Sequence, residues 1–420
     1  MRSMKAALGI RLWALGFRLC LLTVRAQSPK PKAQSQKPVG SVLIVAIGIM
    51  IVLTGLALVF SRQMRVEALA SGNLLASVQA DAVVAGAAQY VANCLANNQD
   101  RTMLDSEIQS EAVPLGDGMF WIIRPNPDDE RQYAFGVVDE SSKLNLNTAT
   151  EDMLQCLPGM TSELAASIVD WRDTDSVVSD GGGGEDEYYL QLPEPYYCKN
   201  APFETLDELL LVKGATRNLL YGVDANRNGA VDDDEAGQQG PLTSFNGMGQ
   251  CGVTKYMTVY SREPSPPAKP NTKKGTKPAP PPEGRINVNT APREVLLCLP
   301  GLTSADVDQL IAVRSASGPD LNNIAWVAKV LPAKALEMIV PLLTVNSYQF
   351  SADIVAVLGQ GRGFKRVRYV FDLRTMPLRI LYRQDLTHLG WPLSSEILET
   401  LRSGAQVPGS SANTFSLEKK

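Results

Sequence analysis

The sequence predicts an α+β fold in which a long N-terminal membrane helix and an antiparallel sheet carry a large helical insert built from two repeats. Three observations lead to this prediction. Residues 41–60 form an uninterrupted apolar run, strand patterns occur both early and late in the chain, and one motif occurs twice at a spacing of 142 residues. With 420 residues and 45% hydrophobic content, the chain is long enough for two or three domains that each bury a core.

The first element is a helix that the apolar run places in a membrane. No charged residue occurs in 41–60, and twenty helical residues span about 30 Å, the thickness of a hydrocarbon core. The helix is expected to continue to about residue 95, because this stretch has no proline and repeats small side chains on one face. The residues of that face are Ala80, Val84, Ala87, Val91 and Cys94. Asn97 and Asn98 indicate where the helix ends.

The segment before the membrane helix sets its predicted orientation. Residues 1–40 carry eight Lys or Arg and no acid, so the positive-inside rule keeps this end in the cytoplasm and the rest of the chain beyond the membrane. A basic leader ending in Gly40, directly before a membrane-length helix, resembles the type IV prepilin processing site. The resemblance implies cleavage between Gly40 and Ser41 by a prepilin peptidase, with methylation of the new N-terminus; a plain signal anchor is the alternative. Val45 occupies the fifth mature position, where pilins usually carry Glu.

Removal of the leader makes the chain strongly acidic. Its 40 Lys and Arg fall to 32 against 44 Asp and Glu, a net charge of −12, which disfavours nucleic-acid binding. In an oxidising compartment Cys198 and Cys251 could pair, since both lie in polar, loop-rich segments, although sequence does not fix connectivity. Cys156 and Cys298 lie in apolar patterns and are expected to be small core residues.

Strand patterns follow the helix and recur near the end of the chain. A β-hairpin is predicted early, and three further strands late. The segments are 118–124 and 133–139 for the hairpin, and 348–358, 364–373 and 378–382 for the late strands. Strands at 255–261 and 285–289 are expected to be joined by a Pro- and Lys-rich linker that lengthens a hairpin connection.

The motif that occurs twice predicts the helical insert. The sequence L-N-L-N-T-A at 144–149 is matched by I-N-V-N-T-A at 286–291, and both copies continue with C-L-P-G and T-S at equal spacings. Each copy predicts a strand that ends at the Asn pair, a short helix capped by Thr148 or Thr290, and a Pro-Gly turn into a second helix. This is the pattern of a helix-hairpin-helix unit.

Helix-hairpin-helix units often bind DNA phosphates through backbone amides. In this sequence Thr161 and Thr303 replace the second glycine of the DNA-binding form, and acidic residues lie nearby. The acidic residues are Glu163, Asp170, Asp306 and Asp308. Their charge favours structural or protein-binding modules.

Further motifs complete a resemblance to a known family. They are Asp170-Trp-Arg-Asp-Thr-Asp175, Glu185-Asp-Glu-Tyr-Tyr189, Pro202-Phe203, Glu208-Leu209, Val212-Lys-Gly214 and the strand beginning at Arg285. Together with the prepilin-like junction, their order over residues 40–382 resembles the type II secretion system protein K family. The resemblance implies a pseudopilin fold whose helical insert contains two SAM-like repeats.

The same resemblance implies a function and a set of partners. Members of this family are minor pseudopilins that form the pseudopilus tip and initiate its assembly for protein export across the outer membrane. The implied partners are minor pseudopilins I and J, other pseudopilins and the inner-membrane secretion platform, and the implied location is the inner membrane with a periplasmic C-terminal domain. Val45 fits a tip subunit, because no further subunit has to dock above it.

A calcium loop is predicted between the repeats. Residues 224–235 place oxygen side chains at loop positions 1, 3, 5, 9 and 12, a glycine at position 6 and a backbone carbonyl at position 7, as in an EF-hand loop. The predicted ligands are Asp224, Asn226, Asn228, Ala230 through its carbonyl, Asp232 and Glu235. An acidic solvated loop is the alternative. The family resemblance also implies calcium in this insert.

A second acidic cluster surrounds a run of four glycines at 181–184. It either holds another ion or forms a solvated loop, and the sequence does not decide between the two. The weaker candidate ligands are Asp173, Asp175, Glu185 and Asp186.

These patterns divide the chain into seven segments. They are a leader at 1–40, the transmembrane half of the helix at 41–60, the rest of the helix and first strands at 61–143, the first repeat with the calcium loop at 144–255, a strand and linker at 256–284, the second repeat at 285–347, and C-terminal strands with a disordered tail at 348–420.

No catalytic constellation is apparent, so we expect a protein that is not an enzyme. His388 is the only histidine and has no convincing nucleophile partner. The alternative function belongs to another class: a membrane-anchored helix-hairpin-helix DNA receptor of a competence or DNA-uptake system.

Overall fold

A computed structural model describes residues 39–98, 108–127, 129–232, 235, 251–265, 282–316, 320–358, 361, 363–405, 407 and 409. By its internal contacts the chain divides into two units, Met1–Val66 and Glu67–Lys420. The predicted leader, apart from its last two residues, lies outside the described residues, as do most of the Pro- and Lys-rich linker and the end of the tail.

The first unit contains the N-terminal part of helix α1, Val39–Asn97. Gly40 and Ser41 lie in the first turn of this helix. The described side chains of its apolar run are exposed, Val45 among them, and the helix is long and apolar enough to cross a membrane.

The second unit is built on an antiparallel sheet of seven strands. Its strands are β1 Val113–Leu115, β2 Gly118–Pro125, β3 Tyr133–Phe135, β4 Val138–Asp139, β9 Gln349–Leu358, β10 Phe364–Asp372 and β11 Arg379–Asp385. The central order is β1-β2-β9-β10-β11, with β3 paired to β2 and β4 paired to β9. The sheet therefore joins strands from both ends of the insert.

Alternation along these strands builds a core on each face of the sheet. On β2, Phe120 and Ile122 pack with the C-terminal part of α1, whereas Trp121 and Ile123 face the opposite side. The small face predicted on α1 is buried at Ala80, Val84, Ala87 and Val91, which allows the helix to lie close to the sheet. The other face is covered by helix α9, Ser395–Ser403, through Leu401.

The insert consists of short helices between two pairs of parallel strands. The helices are α2 Glu151–Gln155, α3 Ser162–Arg172, α4 Asp186–Tyr189, α5 Arg217–Tyr221, α6 Arg293–Leu297, α7 Ser304–Ser315 and α8 Ala333–Ile339. Strand β5, Leu144–Asn145, pairs with β6, Met257–Thr258, and β7, Ile286–Asn287, pairs with β8, Leu343–Thr344. One continuous hydrophobic cluster runs through both repeats.

The two repeats share their contacts as well as their sequence. In each, an asparagine side-chain oxygen accepts from a backbone N–H two residues on, at 2.8 Å for Asn145 and 3.0 Å for Asn287. In each, an arginine at the end of the longer helix donates to two backbone carbonyls of the strand-to-helix turn. Arg314 reaches the carbonyls of Val288 and Ala291 at 3.0 and 2.7 Å, and Arg172 reaches those of Leu146 and Ala149.

The helix caps differ from the prediction. Helix α2 begins after Thr150, whose hydroxyl accepts from the Met153 N–H, and α6 begins after Pro292, so Thr148 and Thr290 are not the caps. The Asn145 carbonyl accepts from the N–H groups of Thr148 and Ala149, so a turn precedes the helix. Thr161 and Thr303, the positions that depart from the DNA-binding glycine pattern, are the N-caps of α3 and α7.

The strand predictions need four corrections. Gly136 (φ 136°) interrupts the predicted hairpin, and β4 then pairs with β9 instead of β2. Strands β6 and β7 do not pair with each other, although a bridge between Arg262 and Glu283 brings the two ends of the linker together. Strand β1 was not predicted, and the segment expected to hold only strands and a disordered tail also contains α9.

Candidate metal centres

The predicted calcium loop follows helix α5, which ends at Gly222. Asp224 is buried, and its carboxylate accepts from the N–H groups of Asn228 and Gly229 at 3.1 and 2.9 Å. The Asn226 side-chain oxygen accepts from the Asn228 N–H, and the Asn228 oxygen accepts from the Ala230 N–H. These successive turns fold the chain around the side-chain oxygens of the predicted loop.

Position 6 of the loop admits only glycine. Gly229 has φ +84°, and a β-carbon there would lie 2.7 Å from atoms of Pro125. The loop closes through Glu235, whose carboxylate accepts from the N–H groups of Ala225 and Asn226 and, at 3.2 Å, from that of Asp232. First and last predicted ligands therefore lie on the same small loop.

Electrostatics at the loop favour a cation. Burial, reinforced by the negative charge of Glu235, raises the pKa of Asp224 to about 7, despite the two N–H donors and the nearby Arg366 guanidinium. All predicted ligand atoms are oxygens, the donors that Ca²⁺ prefers. The donor set fits a calcium ion, which would be held by Asp224, Asn226, Asn228, Asp232, Glu235 and the Ala230 carbonyl.

The loop is attached to the sheet by a residue that the sequence analysis missed. Arg366 of β10 is fully buried, and its guanidinium forms a bidentate ion pair with Asp353 of β9 at 2.9 and 2.7 Å. The same guanidinium donates to the backbone carbonyls of Asn226 and Arg227. The available indication in the sequence is Asp353, which is the one charged residue of strand β9.

Two further contacts fix the loop from other directions. The Val231 N–H donates to the Glu130 carbonyl at 2.8 Å, and the Asn228 amide donates to the Pro392 carbonyl at 2.8 Å. The loop is therefore held by three separate segments of the surrounding domain.

The second acidic cluster is brought together in part. Carboxylate oxygens of Asp173, Asp175 and Glu185 lie within 4.8 Å of one another. Both Glu185 oxygens and Asp173 Oδ1 are buried without a hydrogen bond. Burial, followed by the charges of Asp170 and Asp173, raises the pKa of Glu185 to about 7. Three converging carboxylates with orphaned oxygens fit a divalent cation.

The remaining candidate of this cluster serves another role. Asp186 Oδ1 accepts from the Cys198 N–H at 2.8 Å, at the start of α4. Asp180 and Glu187 are exposed. Among the described residues, the candidate cluster thus consists of Asp173, Asp175 and Glu185.

The cysteines do not follow the predicted arrangement. Cys198 and Cys251 are free, and their thiols lie against different carbonyls, those of Asp170 at 3.6 Å and Glu130 at 3.8 Å. Cys298 is buried as expected, but Cys156 is exposed.

A pair of acidic residues links the repeats to the sheet. Asp139, at the end of β4, accepts from Asn287, Thr290 and Ser347 of the second repeat. Its neighbour Glu140 accepts from Lys143, Thr258 and Ser351. Burial raises the pKa of Asp139, and hydrogen bonds from Ser347 and Thr290 oppose the rise. Each repeat is therefore joined to the sheet through one carboxylate.

Both repeats match sequence models of one family. "Type II secretion system (T2SS), protein K" matches residues 142–223 through its first domain and residues 286–346 through a second. These two segments of the chain are therefore similar to the type II secretion system protein K family. The cluster at Asp173, Asp175 and Glu185 lies inside the first matched segment, whereas loop 224–235 begins immediately after it.

Two further proteins are similar to parts of this chain. The crystal structure of the GspK-GspI-GspJ complex from the enterotoxigenic Escherichia coli Type 2 Secretion System contains a chain that is 16% identical, with a TM-score of 0.45 over 77% of this chain and 99% of that one. The endonuclease/exonuclease/phosphatase family domain-containing protein 1 of Xenopus laevis is 26% identical over 196 residues, 46% of this chain. This chain spans only about a quarter of the length of that Xenopus protein.

Proposed function

We propose that the protein is a minor pseudopilin of a type II secretion system, which forms the pseudopilus tip and initiates its assembly. The observation that carries the proposal is the match of both repeats to the protein K family. An apolar helix suited to membrane insertion and a sheet packed on its C-terminal part support it. In this proposal the protein acts by assembly and not by catalysis.

The proposed assembly takes place at the inner membrane. The basic leader stays in the cytoplasm, the head lies in the periplasm, and a prepilin peptidase cuts between Gly40 and Ser41. The E. coli complex named above contains GspI and GspJ, and by analogy minor pseudopilins I and J are the proposed partners here. Other pseudopilins and the inner-membrane secretion platform complete the set.

The paired helices of each repeat are proposed to be helix-hairpin-helix units of a SAM-like insert with a structural role. Thr161 and Thr303 use their hydroxyl groups to cap helices, and Glu163 and Asp306 lie in the first turns, so a phosphate would meet negative charge there. The DNA-receptor alternative gains no support from these contacts.

Two measurements on the full chain test the proposal. Co-purification with two smaller prepilin-like proteins from the producing cell supports a tip complex. Deletion of either smaller protein should abolish co-purification of the other. Salt-sensitive gel retardation of DNA at micromolar protein would instead favour the DNA receptor.

Processing is tested at the junction itself. Gly40→Leu should leave the leader attached and give a larger band on an immunoblot, whereas Pro38→Leu should be cut normally. A shortened band for Gly40→Leu would refute cleavage after Gly40.

We further propose that the insert holds calcium at loop 224–235 and a second ion at Asp173, Asp175 and Glu185. The ions would stabilise the insert, as weak extracellular sites do. Titration calorimetry should give two sites per chain, one lost in Asp224→Asn with Glu235→Gln and the other lost in Glu185→Gln. If the heat of calcium binding is unchanged in one of these variants, the residues replaced in that variant do not form a site.

A further inference from the structure

Exposed apolar side chains of the second unit are concentrated in one segment. Beyond helix α1, twelve large hydrophobic residues are exposed among those the structure describes, and seven of them lie between residues 177 and 211. They are Val177, Val178, Tyr188, Leu190, Tyr197, Leu210 and Leu211, here termed the Tyr197 surface. Val177 and Tyr197 are the most exposed of the seven, at 73% and 70%. Seven exposed apolar side chains within 35 residues of sequence are more than the isolated ones of an ordinary surface, and such exposure is typical of a protein contact.

A cluster of packed aromatic rings lies next to this surface in the protein interior. The buried Tyr189 ring contacts the rings of Trp171, Tyr188 and Tyr196 at centroid distances of 5.2, 5.2 and 5.3 Å. The Tyr196 hydroxyl donates to the Leu211 carbonyl at 2.7 Å, which joins the middle of the segment to its end. Tyr188 and the Leu211 backbone are therefore held in place before any partner binds, which lowers the entropic cost of binding at this part of the surface.

The charge around the Tyr197 surface is strongly negative. Residues 173–213 contain ten Asp or Glu and two Lys, a net charge of −8 in a chain whose total is −4, and Lys213 Nζ lies 5.0 Å from the Tyr188 ring. Asp180, Glu187 and Glu194 are exposed along this segment. Even with a divalent cation bound at Asp173, Asp175 and Glu185, the segment would keep a net negative charge.

We propose that the Tyr197 surface docks a protein segment whose apolar side chains are flanked by Lys or Arg. The apolar patch supplies the contact area, and the acidic surroundings select a basic partner. The same charge repels anionic lipid and nucleic acid, which separates this partner from a membrane or a polynucleotide. The proposal goes beyond the tip function and does not depend on it or on calcium.

Binding of three synthetic peptides to the full chain in zwitterionic nanodiscs tests the proposal. One peptide alternates Leu and Lys, the second replaces Lys with Glu, and the third replaces Leu with Ser. Fluorescence anisotropy should show binding of the Leu-Lys peptide, with at least about tenfold weaker binding of the other two. The Leu-Lys affinity should fall as salt rises, because the acidic residues contribute at long range.

Variants locate the binding site. Tyr197→Ser with Leu190→Ser should weaken the Leu-Lys peptide about tenfold or more, and Asp180→Asn with Glu187→Gln and Glu194→Gln should lower the salt dependence. Met338→Ser with Val340→Ser removes two similarly exposed apolar residues elsewhere and should leave binding unchanged.

Several outcomes would overturn the proposal. They are equal binding of the Glu peptide, equal loss in the Met338 and Val340 control, or binding of anionic vesicles that the Tyr197 variant abolishes. A dimer of the full chain that disappears in the Tyr197 variant would assign the surface to a second copy instead. All variants are first compared with the parent protein by circular dichroism, and Tyr197→Phe, which retains the ring, should restore the peptide affinity.

Discussion

The two repeats of the insert have the same framework but carry different additions. In the first repeat 84 residues separate the end of α3 from β6, whereas 27 separate the end of α7 from β8 in the second. Both candidate metal centres and the Tyr197 surface lie in the longer connection. The shared framework therefore provides packing, whereas the candidate binding sites lie in the segment that is longer in the first repeat.

The shared framework predicts that both repeats lose stability equally when the arginine at the helix end is removed. Arg172→Met and Arg314→Met should each lower the free energy of unfolding by about 3 kcal/mol, because two carbonyls lose a charged donor in each case. Urea unfolding of the full chain measures the loss. Arg217→Met, an exposed position on α5, is the control and should change little. Clearly unequal losses at the two arginines would break the equivalence of the repeats.

The insertion predicts that calcium stabilises only the first repeat. At a calcium concentration 100 times the dissociation constant of loop 224–235, binding there should add about 2.7 kcal/mol, and Asp224→Ala with Glu235→Ala should remove this part of the calcium gain. Thermal unfolding in calcium and in chelator measures the difference. Glu337→Gln, which removes an exposed acid of the second repeat, should keep the full gain. A calcium gain that is as large in the double variant as in the parent protein would refute loop 224–235 as a site.

The raised pKa values predict how calcium binding depends on pH. Asp224 and Glu185 have pKa values of about 7, above their ordinary 3.8 and 4.5, so calcium must displace protons below pH 7. Calcium affinity should rise up to about tenfold per pH unit toward pH 7 and then level off. In the calcium-free protein, stability due to these groups is greatest below their ordinary pKa values and is lost as pH rises through 7.

Calorimetry across this pH range tests the prediction, and the second repeat supplies the contrast. There hydrogen bonds from Thr303 lower the pKa of Asp306, and one from Arg293 lowers that of Asp308, so neither carboxylate takes up protons near pH 7. Calcium affinity that is constant between pH 5 and 8 would show that no proton is displaced.

The smallest predicted difference concerns the helix caps. Thr161→Ala and Thr303→Ala should each cost about 1 kcal/mol. The second should cost slightly more, because the Thr303 hydroxyl also donates to Asp306 at 2.6 Å, within a capping box that Asp306 completes. Urea unfolding measures both, and Thr→Ser at either position should recover most of the loss. An identical loss of unfolding free energy at both caps would show that the capping box of Thr303 and Asp306 makes no measurable contribution.

Sequence reasoning succeeded where the determining interaction is local. The apolar period of α1, the alternation along β2, β9 and β10, and the Pro-Gly turns each depend on neighbours within a few residues. Caps were misplaced by two residues, because Asn145 forms an extra turn before α2 that propensity does not reveal.

Long-range contacts account for what was missed. Arg366 and Asn226 are 140 residues apart, and Asp139 and Thr290 are 151 apart, so neither pairing leaves a trace in sequence spacing. The candidate ligands in loop 224–235 were found because their spacing is itself the motif, and calcium binding there stays a prediction. For the second cluster the sequence offered four carboxylates, and only the fold separated Asp186 from the other three.

The attachment of the loop to Arg366 limits how the chain could be shortened. Excising 224–235 to make the first repeat resemble the second would leave a fully buried guanidinium with Asp353 as an acceptor but without two of its carbonyl acceptors. The loop therefore cannot be removed without disturbing the hydrogen bonds of Arg366. A minimal version of this head that omits the loop would also have to redesign strands β9 and β10, more than a hundred residues away along the chain.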